Sequence, residues 1–106
     1  MNLEPREYDL LFRFITNANE FSVYDAKDKC VLQIKDLKET ALSFGSGADN
    51  IMGFNLDGIH FDFPFYDYEI VSRNMITFFK KDGYILAILN YNDDGFNAIE
   101  ELRNLK

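Results

Sequence analysis

The chain has 106 residues, 18 of them acidic and 11 basic, for a net charge of −7 at neutral pH. That length suits one domain with a self-sufficient core, and so acidic a chain lacks the basic face needed to bind DNA, RNA or an anionic membrane. Eleven Phe and six Tyr, within a hydrophobic fraction of 47%, exclude a disordered chain, which lacks this much apolar material.

The first predicted element is a helix. Pro5 suits its first turn, with Glu4 and Glu7 near the positive end of the dipole. Tyr8, Leu11, Phe12, Ile15 and Ala18 recur at helical spacing, and Leu10 and Phe14 widen the stripe. Asn17 and Asn19 mark its end. Residues 20–35 read as a hairpin, with Phe21, Val23 and Tyr24 in one strand and Val31, Leu32 and Ile34 in the next. Residues 26–29 form its polar turn. Residues 36–44 fit a short helix or a strand equally well, and Gly45-Ser46-Gly47 reads as a loop.

A second hairpin is expected over residues 51–63, reversing at Leu56-Asp57-Gly58-Ile59, because Asp-Gly between apolar residues favours a tight turn. Pro64 has no N–H to give a ladder, so the strand ends there or lies at a sheet edge. Residues 75–79 and 84–91 form a third hairpin about Lys81-Asp82-Gly83. Ile85-Leu86-Ala87-Ile88-Leu89 does not alternate, which predicts a central strand covered on both faces. The last element is a helix capped by Asp93 or Asp94, with Phe96, Ile99, Leu102 and Leu105 as its stripe and Arg103 and Lys106 at its negative end. The fold class is therefore α+β: one domain over 1–106, with an antiparallel sheet of about five to six strands. Both helices are expected on one face of a strongly bent sheet.

Cys30 is the single cysteine, so no intramolecular disulfide forms, and a reducing compartment is expected. The start, Met1-Asn-Leu-Glu-Pro-Arg-Glu, has acids where a signal peptide has a basic region, and Arg13 breaks the apolar stretch that follows. No run approaches the length of a membrane helix. These features predict a cytoplasmic protein.

The charge is unevenly placed. Between Lys38 and Arg73 there is no Lys or Arg, while the same residues carry Glu39, Asp49, Asp57, Asp62, Asp67 and Glu69. The three successive segments 1–38, 39–72 and 73–106 thus carry −1, −6 and 0. The acidic segment holds the densest aromatic run, Phe61-Asp62-Phe63-Pro64-Phe65-Tyr66-Asp67-Tyr68. If it alternates as a strand, Ile59, Phe61 and Phe63 face one side, with His60 and Asp62 on the other. Past Pro64 a new phase would group Tyr66, Tyr68 and Ile70, with Asp67 and Glu69 opposite. Tyr is a frequent interface anchor, and carboxylates beside it would steer a basic partner. The competing reading is a solvated edge strand whose acids prevent aggregation.

Other candidates carry less. His60 with Asp62 resembles part of a metal or general-base site, but there is no second His and Cys30 is distant in sequence, so a buried or half-buried structural histidine is expected instead. The Asn/Asp-rich run at 90–95 is explained by helix capping, and Gly45-Ser46-Gly47 is too short to cradle phosphate. Ser43 and Ser46 lie in no nucleophile motif. Cys30 at the start of a strand is expected to be buried, and Lys80-Lys81 to be solvated. The expectation is a non-enzymatic inhibitor without metal or cofactor, a monomer or homodimer that masks the basic surface of a nuclease, toxin or defence complex. Its contact residues would be Asp57, His60, Asp62, Tyr66, Asp67, Tyr68 and Glu69. The alternatives are a small enzyme or ligand-binding domain with a pocket near His60, or a subunit of an oligomer.

Overall fold

The computed structural model describes residues 3–37, 42–45, 50–56 and 58–105. In chain order the elements are α1 (Pro5–Thr16), β1 (Glu20–Tyr24), β2 (Cys30–Ile34), β3 (Leu42–Gly45) and β4 (Asn50–Leu56). They continue with β5 (Ile59–Phe65), β6 (Asp67–Ser72), β7 (Met75–Phe79), β8 (Ile85–Leu89) and α2 (Asp93–Asn104). The α+β class holds, with an N-terminal and a C-terminal helix. The strands form two sheets rather than one bent sheet, a five-stranded sheet of order β2-β1-β8-β7-β6 and a three-stranded sheet β3-β4-β5. All pairings are antiparallel. The ambiguous stretch resolves at its end as strand, since β3 pairs with β4, while residues 38–41, 46 and 47 lie outside the described part.

Register separates the two faces of the larger sheet. Phe21 pairs with Ile88 and Ile88 with Ile76, while Val23 pairs with Leu86 and Leu86 with Phe78. Paired residues share a face, so these side chains make one apolar layer, and nearly all of them are fully buried. The helices and the three-stranded sheet supply the other wall of the same core. Rings weld the two sheets: Phe21 stacks on Phe54 at 4.4 Å, and Phe65 meets Phe78 edge-on at 4.9 Å. β8 is central, as its apolar run predicts, but only Leu86 and Ile88 enter the core. Ala87 is buried among its strand neighbours, and Ile85 and Leu89 are half-buried on the opposite face.

Helix α1 buries Leu10, Leu11, Phe14 and Ile15 and leaves Phe12 exposed. Leu10 and Phe14 are thus the centre of its stripe. In α2 the buried residues are Gly95, Ala98, Ile99 and Leu102, and Leu105 is exposed. Its N-cap is Asn92 rather than Asp93 or Asp94, and Asn92 makes no side-chain cap. Its amide reaches across instead to the Asn17 carbonyl at 2.7 Å, tying the end of α1 to the start of α2. The two helices pack closely, and Arg73 lies 4.1 Å over the Phe96 ring. At the centre of this junction sits Asn90, with no solvent exposure. Its Nδ2 donates to the Phe14 carbonyl at 2.9 Å, and its Oδ1 accepts from the Asn92 N–H at 2.8 Å. None of the described helices is long and apolar enough to cross a membrane.

Candidate functional site

The chain reverses between β4 and β5 where expected. Leu56 pairs with Ile59 across it, and Gly58 has φ of 82°, where an L side chain is strained. Asp57 itself lies outside the described residues. Strand β5 is an edge, which is how it accommodates Pro64 opposite Ile51. Odd residues of β5 point inward and even ones outward, so His60 and Asp62 share the outward face with Asn55, the register partner of His60. There His60 bridges two oxygens, with Nδ1 2.8 Å from Asn55 Oδ1 and Nε2 2.7 Å from Asp62 Oδ1. All three side chains are exposed, so His60 is not the buried or half-buried histidine expected: it stands on the outward face of an edge hairpin. Asn55 was legible in principle: counting back from a two-residue turn places it opposite His60.

The phase changes at Tyr66. Phe65 points inward, Tyr66 is 47% exposed, Asp67 is exposed and Tyr68 is only 4% exposed. The chain crosses here from one sheet to the other, with the Tyr66 N–H donating to the Phe79 carbonyl at 3.0 Å. Asp67 and Glu69 consequently lie on the outward face of the five-stranded sheet, while His60 and Asp62 lie on that of the three-stranded sheet. The acidic candidates are not one strand face; they flank a corner whose apex is Tyr66.

Tyr68 must be removed from the contact set. It is a core residue whose hydroxyl donates to Glu7 of α1, while the other Glu7 oxygen accepts from the Glu4 N–H at 3.3 Å. Burial first, then the bond to Glu7 and its charge, push the Tyr68 phenol well above its ordinary value. Because that value is raised in the folded state, the stabilisation is fully present below pH of about 10 and fades as pH rises toward the folded value. Tyr68→Phe is expected to lose about 1.5–3 kcal/mol at neutral pH, the worth of a hydrogen bond to a charged group. In urea titrations the gap to wild type should narrow above pH of about 10; a constant gap would contradict the assignment.

Two further expectations are corrected. Cys30 is exposed, because β2 is the edge of its sheet and Cys30 shares the outward face with Tyr24. Lys80 is half-buried, 5.6 Å over the Phe63 ring and 3.1 Å from Asp82. The Asp82 carboxyl is held below its usual range, first by the Tyr84 N–H and then by Lys80.

Two hollows lie among the described residues near these elements. One, of about 470 Å³, is open and polar, between the end of α1 and the start of α2. Its Asn side chains are already engaged, Asn92 with the Asn17 carbonyl and Asn19 with the Tyr91 N–H at 2.6 Å. The other is an apolar cleft of about 130 Å³ between the β1–β2 hairpin and the β4–β5 hairpin, lined by Val23, Leu32, Phe54 and Phe61 with Asp62 at its rim. That is below the roughly 300–1,000 Å³ of small-molecule sites. His60 does not line it. Among the described residues no three His, Cys, Asp or Glu side chains converge as metal ligands. The chain matches no protein-family model, no curated protein and no solved structure.

Exposed apolar residues around this cleft had no local sequence signal. Ile59 is 57% exposed and Phe61 48%, although both point to the inner side of β5. Alternation predicts the side a residue faces, not whether the opposing layer extends far enough to cover it.

Proposed function

We propose that this protein is a non-enzymatic binder that masks a basic protein surface, such as the nucleic-acid-binding face of a nuclease, toxin or defence complex. Immunity proteins and anti-defence inhibitors have this physics, with carboxylates standing where phosphates would bind. The observation that carries the reading is the unneutralised state of the acidic corner. Among the described residues, Asp67 and Glu69 pair with no Lys or Arg, and Asp62 pairs only with His60. Along the chain the flanking bases are Lys38 and Arg73, at the two ends of the segment. Such carboxylates keep their full field for a partner, and raise the association rate of a basic one. Exposed Tyr66 between them supplies a rigid, amphipathic anchor.

The test is co-purification with wild type and with Asp62→Lys/Asp67→Lys/Glu69→Lys as baits, at low and at physiological salt. A basic protein retained by wild type at low salt, weakened by salt and lost with the triple variant is the expected result. Affinity for that partner unchanged by the triple variant, with thermal unfolding intact, would reject the acidic corner as the contact surface.

A further inference from the structure

The outward face of the five-stranded sheet is apolar where a solvated face would be polar. An antiparallel sheet with water on one side alternates apolar and polar residues along each strand. β7 (Met-Ile-Thr-Phe-Phe) and β8 (Ile-Leu-Ala-Ile-Leu) do not. Ile76, Phe78, Leu86 and Ile88 fill the core. The residues between them make a second layer on the other side, where Phe79 pairs with Ile85, Thr77 with Ala87 and Met75 with Leu89. Tyr24 extends that layer onto β1, opposite Ile85. These side chains lie outside the core cluster, and both helices and the smaller sheet pack on the inner face, so no described element covers them. The five strands contain three charged residues, Glu20, Asp67 and Glu69. All three are acids and face outward with this layer, and none pairs with a Lys or Arg among the described residues. The hairpin ends around the face are close to balanced. Beside β2, Lys27, Lys29 and Lys35 stand against Asp25, Asp28 and Asp36, and after β7 Lys80 pairs with Asp82. Of the other bases, Arg73 lies over Phe96 of α2 and Lys81 stands in the exposed β7–β8 turn.

We propose that this face is the docking site for a basic amphipathic helix of the masked partner. Its apolar stripe lies on Met75, Phe79, Ile85 and Leu89, and its Lys and Arg residues reach Glu20, Asp67 and Glu69. Such docking rests on the masking role proposed above. It carries the contact from the Tyr66 corner across β6, β7 and β8 to β1, rather than round to Asp62 on the other sheet. A segment lying on the face of a sheet has no strand to pair with, so its backbone must satisfy its own N–H and C=O groups, as a helix does. Addition at an edge is guarded on both sides, by Asp67, Glu69 and the bulge after Ile70 on β6, and by the register shift of β2 against Val23 and Tyr24. The strands of a second copy would bring three more carboxylates and no base to the same interface, and burying unpaired charge is costly.

The test is selection from a display library of random peptides of about 16 residues, which as helices cross about five strands. Enriched sequences should place apolar residues at i, i+3, i+4 and i+7, with Lys or Arg beside them. The synthetic winner should bind about tenfold or more weaker to Ile85→Gln and to Met75→Gln, which leave the charge unchanged. Glu20→Lys and Asp67→Lys/Glu69→Lys should weaken it to a similar degree, whereas Asp62→Lys should change its affinity by less than about twofold. Ile85 and Met75 are half-buried and outside the core, and thermal unfolding checks that each variant folds. Failure to enrich any peptide, enrichment of strictly alternating sequences, or affinity indifferent to Ile85→Gln and Met75→Gln would overturn the docking face. Should a basic peptide instead bind in a salt-sensitive way and be lost with Asp62→Lys alone, the acidic corner keeps its masking role without this face. Enriched peptides with no excess of Lys or Arg, indifferent to the acidic variants, would overturn both. A solution dimer that Ile85→Gln dissociates would overturn the proposal in favour of a second copy.

Discussion

Gly95→Ala should destabilise this protein by about 2–4 kcal/mol, although the same change inside an exposed helix stabilises by about 1 kcal/mol. Gly95 is buried in the first turns of α2, and a Cβ there would lie 2.2 Å from Asn90 Cγ, 2.4 Å from Oδ1 and 2.5 Å from Nδ2. Overpacking of this kind typically costs about 1–3 kcal/mol. Asn90 has no easy retreat, since it is fully buried and both ends of its amide are bonded. Moving it strands the Phe14 carbonyl and the Asn92 N–H, at about 1–3 kcal/mol for each group left buried without a partner. A double-mutant cycle isolates Asn90 as the obstruction. Asn90→Ala alone should be costly, for the lost hydrogen bonds; but in that background Gly95→Ala should be neutral or stabilising, because the obstructing atoms are gone. Equilibrium urea unfolding of the four proteins measures this. Simple additivity of the two losses would show that Asn90 is not what forbids the side chain at Gly95.

Phe78→Ala should cost about 3–5 kcal/mol, at the upper end of the range for large-to-small changes. Phe78 has no exposure and lies between the sheets, edge-on to Phe65 at 4.9 Å and tilted against Tyr68 at 6.1 Å. It sits on β7, inside the larger sheet, so the void left behind is closed on all sides and its lining cannot relax into solvent. Phe21→Ala makes the informative comparison. Phe21 is equally buried and stacks on Phe54, but it lines the open apolar cleft. Water or neighbouring side chains can enter there, so its loss should be smaller by about 1 kcal/mol. Chemical denaturation of the two variants decides it; equal losses would mean the cleft is no more yielding than the core.

The acidic surface was partly legible in the sequence, and where it failed the failure has a physical form. The base-free segment and the exposed carboxylates Asp62, Asp67 and Glu69 are where a reading of charge puts them, whereas Tyr66 and Tyr68, grouped on one face by alternation, separate into an exposed and a buried residue. Tyr68 was misplaced. Once the phase changes at Tyr66, alternation sorts residues into two sets, but it cannot say which set meets the core. Tyr68 pairs with Phe78 across β6 and β7, so it follows that residue inward to Glu7 of α1, 61 residues earlier in the chain.

Near-neighbour rules suffice for two amphipathic helices, three hairpins, the reversal between β4 and β5 and the centrality of β8. Those follow from local periodicity and turn chemistry, which act within a few residues. Long-range packing sets the rest: the strands divide into two sheets at Tyr66, inward-pointing Ile59 and Phe61 stay half exposed, and the buried amide of Asn90 leaves no room at Gly95. Each of these depends on where one layer ends above another, or on atoms that meet only after the chain has closed on itself. Cys30 lies exposed and Leu32 and Phe61 half exposed for that reason, despite apolar sequence around each of them.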